Sequence, residues 1–178
     1  QVGADLRISQ TSGDDSAVTI DGVGSEITVT GATHVGNKGR GTLEITSGGM
    51  LTTDRVLAGR GTSGLQEGNI LVDGTDSQLI ANRLSLGGDE LDVASGGLGN
   101  LTISSGGSVE IAHDLRVFAG TLSLIDGSLT ADSMQMDSGS VFDFTGGTLN
   151  VDVFTGDLTQ DGGLITIGNS PGVMTVDG

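Results

Sequence analysis

The chain is a repeat, and that feature constrains its fold more than any other. Val18-Thr-Ile-Asp-Gly-Val-Gly-Ser-Glu-Ile-Thr-Val29 matches Ile70-Leu-Val-Asp-Gly-Thr-Asp-Ser-Gln-Leu-Ile-Ala81 at the Asp-Gly, at the Ser that follows, and at the flanking apolar positions. Leu43-Glu-Ile-Thr-Ser-Gly-Gly-Met-Leu51 matches Leu101-Thr-Ile-Ser-Ser-Gly-Gly-Ser-Val109 in the same way. Shorter copies run from Leu122 to Leu129 and from Phe142 to Leu149, and a last one is read from Ile165. The shared unit is apolar-x-apolar, a Gly-containing turn, then apolar again. Short alternating runs between Gly, Asp and Ser clusters predict half-buried strands joined by tight turns.

The first runs begin at Val18, Leu43, Ile70, Leu101, Leu122, Phe142 and Ile165, spaced by 25, 27, 31, 21, 20 and 23 residues. Periods of this size belong to solenoids. A third apolar run occurs in most units, as in Leu6-Arg-Ile8, Arg55-Val-Leu57, Leu84-Ser-Leu86, Leu115-Arg-Val117 and Met134-Gln-Met136. The likeness of Ala4-Asp-Leu-Arg-Ile8 to His113-Asp-Leu-Arg-Val117 marks it as a true repeat position. The expected fold is therefore all-β: a parallel β-helix solenoid of about seven three-strand coils, spanning 1–178 as one domain. Coils would stack at about 4.8 Å, and their inward side chains would form aliphatic ladders.

Composition agrees with a narrow core repeated many times. The 178 residues include 33 Gly and one Pro; four Phe are the only aromatics, and there is no Cys. A single wide core would use larger side chains. A β-sandwich would not need similar sequence at this period, and the Leu and Asn pattern of leucine-rich repeats is missing. The longer units place extra residues at 59–68 and 87–99, which are expected to leave the stack as surface loops.

The segment Gly168-Asn-Ser-Pro-Gly-Val-Met-Thr-Val-Asp-Gly178, with Asp161-Gly-Gly-Leu-Ile-Thr-Ile-Gly168 before it, resembles a repeat of autotransporter passengers and related bacterial surface proteins. The units at 35–51 and 99–109 resemble the same repeats. The resemblance implies a right-handed β-helix and export across the outer membrane of a Gram-negative bacterium, to the cell surface or beyond. It implies no particular activity. No signal peptide stands at Gln1, so an exported chain would be a mature or internal piece.

The net charge of -16, with Lys38 the one lysine, excludes nucleic acid and anionic lipid as partners. No run approaches the roughly 20 apolar residues that span a bilayer. Both ends are repeat material, so open strand edges are expected to favour self-association end to end.

No catalytic site, cofactor site or metal site is recognisable, and the chain is read as a non-enzyme. Weak calcium binding is conceivable at Asp89, Glu90 and Asp92, where Gly87-Gly-Asp-Glu-Leu-Asp92 carries part of a calcium-binding nonapeptide; an exposed acidic loop is the plainer reading. Asp21 and Asp73 hold the same place in their units, as a carboxylate pair for glycan cleavage would. Each precedes a turn Gly, however, where Asp bonds its own backbone. His34 and His113 fall in comparable places three units apart, too far to share a metal, and are read as polar turn residues. Lys38, Arg40, Arg55 and Arg60 form either a local basic patch or solvated turn charge. The leading expectation is a structural or adhesive rod. The competing one is a polysaccharide-active or polysaccharide-binding protein, against which the lack of Trp and Tyr counts. Host or matrix surfaces are further candidate partners.

Overall fold

The structure is a computed structural model that describes residues 3–61, 66–89 and 96–168, and the backbone of 173–174. Among these residues there is no helix, and therefore none long and apolar enough to cross a membrane. The protein is all-β and every strand pairing is parallel.

Strands alternate between two sheets. The short strands β2 (Asp15–Asp21), β4 (Arg40–Thr46), β6 (Glu67–Asp73), β8 (Leu98–Ser104), β10 (Gly120–Leu124) and β12 (Val141–Phe144) make a six-stranded sheet in that order. The other sheet opens with β1 (Leu6–Ile8), β3 (Glu26–Val35), β5 (Met50–Ala58) and β7 (Gln78–Leu86). It continues with β9 (Gly107–Val117), β11 (Gly127–Met136), β13 (Thr148–Thr155) and β14 (Leu164–Thr166), and β15 (Val173–Met174) also pairs with β13.

Register turns the sequence repeat into columns of side chains. Val18, Leu43, Ile70, Leu101, Leu122 and Phe142 face one another strand to strand. Ile27, Leu51, Leu79, Val109, Leu129, Leu149 and Ile165 form a second column. Leu6, Thr33, Val56, Leu84, Leu115, Met134 and Phe154 form a third, so the equivalence of Leu6 and Leu115 read from the sequence holds in register. Apolar residues of both sheets join in one buried cluster. Each aliphatic side chain so covered contributes about 1.5–3 kcal/mol.

Two expectations need correction. The unit is not three separate strands. Its second and third runs are the two halves of one long strand, which bends where the register shifts, between Val29 and Ala32, Ala81 and Leu84, and Ala131 and Ser133. A register slip of this kind bends a strand without ending its pairing. The second correction concerns Ile165, which does not start a seventh first run. It pairs with Leu149 in the nine-stranded sheet. Where a seventh short strand would lie, there is one isolated bridge, Phe144 to Gln160. The reason is the turn: a Gly-Gly introduces the second run at Leu51, Val109 and Leu149, and Gly162-Gly163 does the same before Ile165.

The corner that ends the third runs of β3, β5 and β7 is built on glycine. Gly36, Gly59 and Gly87 follow the paired residues Val35, Ala58 and Leu86, with φ of 73°, 69° and 73°. Their N–H groups donate to Ile8, Val35 and Ala58 of the preceding repeat. A Cβ at these sites would overlap the backbone carbonyls of Glu67, Leu98 and Ala119. The paired glycines Gly41, Gly68 and Gly99 receive these corners, since a Cβ there would meet Gly36, Gly59 and Gly87 in turn. Both expected insertions leave from this corner, and residues 62–65 and 90–95 of them lie outside the described residues.

Candidate binding groove

The repeat explains first what engages the sequence-read acids. Asp21, Thr46, Asp73 and Ser104 share one column. Asp21 Oδ1 accepts from Thr46 Oγ1 at 2.8 Å, and Asp73 Oδ1 accepts from Ser104 Oγ at 2.6 Å. Each acid thus bonds a hydroxyl of the next repeat, not its own backbone as expected. The turn itself is held by the matching serines: Ser25 and Ser77 donate to the carbonyls of Asp21 and Asp73 at 2.6 and 2.7 Å. Hydroxyls from Thr46 and then Ser47 hold the Asp21 carboxyl below its usual range, and those of Ser104 and then Ser105 do the same to Asp73. A general acid needs the opposite shift.

The histidines are not equivalent. His34 pairs in register with Arg7 and Leu57 inside the third run and is 5% exposed. His113 stands at the bend between Ile111 and Leu115, with its side chain 60% exposed and Nδ1 3.5 Å from Asp132 Oδ2. Neither is a turn residue, because both lie within strands. His34 Nε2 lies 3.8 Å from Asp5 Oδ2. Burial, and next the Arg7 charge, push the His34 imidazole below its usual pKa.

The cations offered as either a patch or solvated turn charge are dispersed. Arg40 lies in the six-stranded sheet, 3.5 Å from Glu67, whereas Arg55 lies in the other sheet, 3.4 Å from Asp54. The Lys38 amide nitrogen donates to the Ser9 carbonyl. Arg60 joins Asp89 at 2.7 Å and so ties one insertion to the other. Asp89 is therefore engaged by a guanidinium; Glu90 and Asp92, its expected calcium partners, lie outside the described residues.

A different set of residues does converge. The outward positions of the third runs of β5, β7, β9 and β11 line two adjoining hollows that share Arg83. One, of about 290 Å³, is walled by Arg83, Ser85, Asp114, Arg116, Ser133 and Gln135. The other, of about 250 Å³, is walled by Asp54, Arg55, Asn82, Arg83 and His113. Arg55 and Arg83 are directly paired in register. Arg83 Nε lies 3.6 Å from Asp114, and Arg116 reaches Asp137 through Nε and Nη2 at 3.1–3.3 Å. The Arg116 guanidinium carbon also sits 4.2 Å from the Phe118 ring centroid. Four of the seven basic residues, Arg7, Arg55, Arg83 and Arg116, thus fall on the third runs or at the bend before them. The signal was present as an Asp or Asn close before an Arg in four units (Asp5-Leu-Arg7, Asp54-Arg55, Asn82-Arg83, Asp114-Leu-Arg116), but linear spacing drew attention to a different cluster.

Comparison with models of protein families, with curated proteins and with solved structures finds no match to this chain.

Proposed function

We propose that the chain is a structural rod of an exported, bacterial surface or extracellular protein, formed as a right-handed parallel β-helix whose two sheets are faces of one continuous coil. The observation that carries this reading is the in-register parallel pairing of each repeat with the next through both sheets. Successive parallel strands joined by crossovers are right-handed in roughly 98% of cases, which supports the hand. The resemblance of the repeats to those of autotransporter passengers supports the location. At about 4.8 Å per repeat, the described repeats would make a rod on the order of 30 Å long. Such a rod spaces, displays or joins other parts, and the same strand pairing would let copies associate end to end. Adhesion to a host or matrix surface is the biological use this reading favours.

Negative-stain electron microscopy of the purified chain at high concentration tests it. Slender rods with a constant cross-section, joined lengthwise into fibres, are expected. Compact, isometric particles would refute the rod. Rods that stay short and dispersed would refute end-to-end assembly and leave display as the function.

A further inference from the structure

We propose that the groove across β5, β7, β9 and β11 is a binding site for an extended, uncharged polysaccharide. The groove crosses four adjacent strands, a span of roughly 14 Å at the strand spacing, so a ligand filling it is elongated and runs across the strands. Its walls mix donors and acceptors: guanidinium at Arg55, Arg83 and Arg116, carboxylate at Asp54 and Asp114, hydroxyl at Ser133, amide at Asn82 and Gln135. Asn82 donates to Asp54, Ser133 to Asp114 and Gln135 to Asp137, so that their remaining lone pairs and N–H groups face the groove. Sugar hydroxyls donate and accept at once, and this mixture matches them. A purely ionic ligand would use only half of it.

Charge selects the uncharged class. The chain as a whole carries -16. In the groove, each of the three guanidinium groups lies within 3.6 Å of a carboxylate, Asp54, Asp114 or Asp137. The site is thus close to locally neutral. An acidic glycan would compete with those carboxylates and meet the repulsion of the whole molecule.

Preorganisation supplies what an aromatic platform does elsewhere. Arg116 is stacked on Phe118 and held at its edge by Asp137, so it enters the groove with its planar donors already fixed. The rows rest on strands of a packed sheet rather than on loops, so successive donors keep their spacing when ligand arrives.

Titration calorimetry on the intact chain tests the proposal. The probes are hexasaccharides of β-1,4-glucan, β-1,3-glucan and α-mannan, with a galacturonate hexasaccharide as the acidic counterpart. At least one uncharged probe is expected to bind, with affinity insensitive to added salt. Arg83→Met, which keeps the aliphatic stem, is expected to weaken that binding roughly tenfold. Gln135→Ala, which removes a groove amide and one donor to Asp137 but keeps every Arg, should weaken it less, and thermal melting of both variants checks that they fold. No binding to any uncharged probe would overturn the proposal, as would binding unchanged in both folded variants. Preference for the galacturonate with steep salt dependence would overturn the uncharged class.

Discussion

His34 holds a position whose counterparts in the next repeats are Leu57 and Ser85, and all three are buried although they point away from the aliphatic columns. Leucine suits that site, and histidine costs stability there. Its Nδ1 is buried with no hydrogen-bond partner among the described residues, which costs about 1–3 kcal/mol. The charged groups that act on it are Arg7 and Arg60, which oppose protonation, and Asp5 and Asp89, which favour it. Desolvation outweighs them, so the folded pKa lies below the usual imidazole value of about 6.5. The unfolded chain therefore binds a proton first as pH falls. Stability is full above 6.5 and declines from there until pH reaches the lowered folded value. His34→Leu is expected to stabilise the fold by about 1 kcal/mol at neutral pH and to flatten that decline. Denaturant unfolding on either side of the window checks both. A variant less stable than the parent at neutral pH would show that the imidazole is satisfied after all. None of this was legible from sequence, because burial of an outward residue depends on what lies over it, and alternation reports only which face it occupies.

At the scale of the element, glycine does two separable jobs. Gly139 has a φ of 92° and open space where a Cβ would go, so Gly139→Ala carries only the left-handed backbone penalty of about 1–2 kcal/mol. Gly59 has a φ of 69° and in addition faces the Leu98 carbonyl of the next repeat. Gly59→Ala is expected to exceed Gly139→Ala by roughly 2 kcal/mol, because two backbones must separate. Equal losses on denaturant unfolding would mean that the corner yields freely. The apolar-x-apolar runs and the Gly-containing turns between first and second runs were legible because they recur in unit after unit, whereas the corner glycines Gly36, Gly59 and Gly87 stand out only once register shows which backbone they face. The bend inside the long strands was not. Its residues are Gly31, Asp54, Asn82, His113 and Asp132, and no shared chemistry separates a bend from a turn there. The place of Ile165 was legible in principle, since Gly162-Gly163 precedes it as Gly48-Gly49 precedes Met50, but its Ile-x-Ile pattern looks the same in either sheet.

At the scale of the whole molecule the governing quantity is charge. With 23 acidic and 7 basic residues, the folded chain brings like charges closer than the unfolded chain does. Four of the basic residues are gathered along the third runs of the nine-stranded sheet, which leaves acids in excess elsewhere. Added salt screens that repulsion over about 10 Å at 0.1 M, so the melting temperature is expected to rise with sodium chloride. Calcium separates screening from a site. Screening depends on ionic strength alone, so calcium and sodium salts at matched ionic strength should give closely similar melting curves. A site would stabilise the fold at calcium concentrations too low to screen, by an amount that grows with the logarithm of concentration above its Kd. Asp89, tied to Arg60 at 2.7 Å, would have to exchange that partner for the ion, and the exchange works against tight binding. The expected outcome is therefore a salt-dependent melting temperature with no separate calcium effect. A rise with trace calcium, reversed by chelation and abolished by Asp89→Asn, would instead place a cation site at the insertion that leaves Leu86.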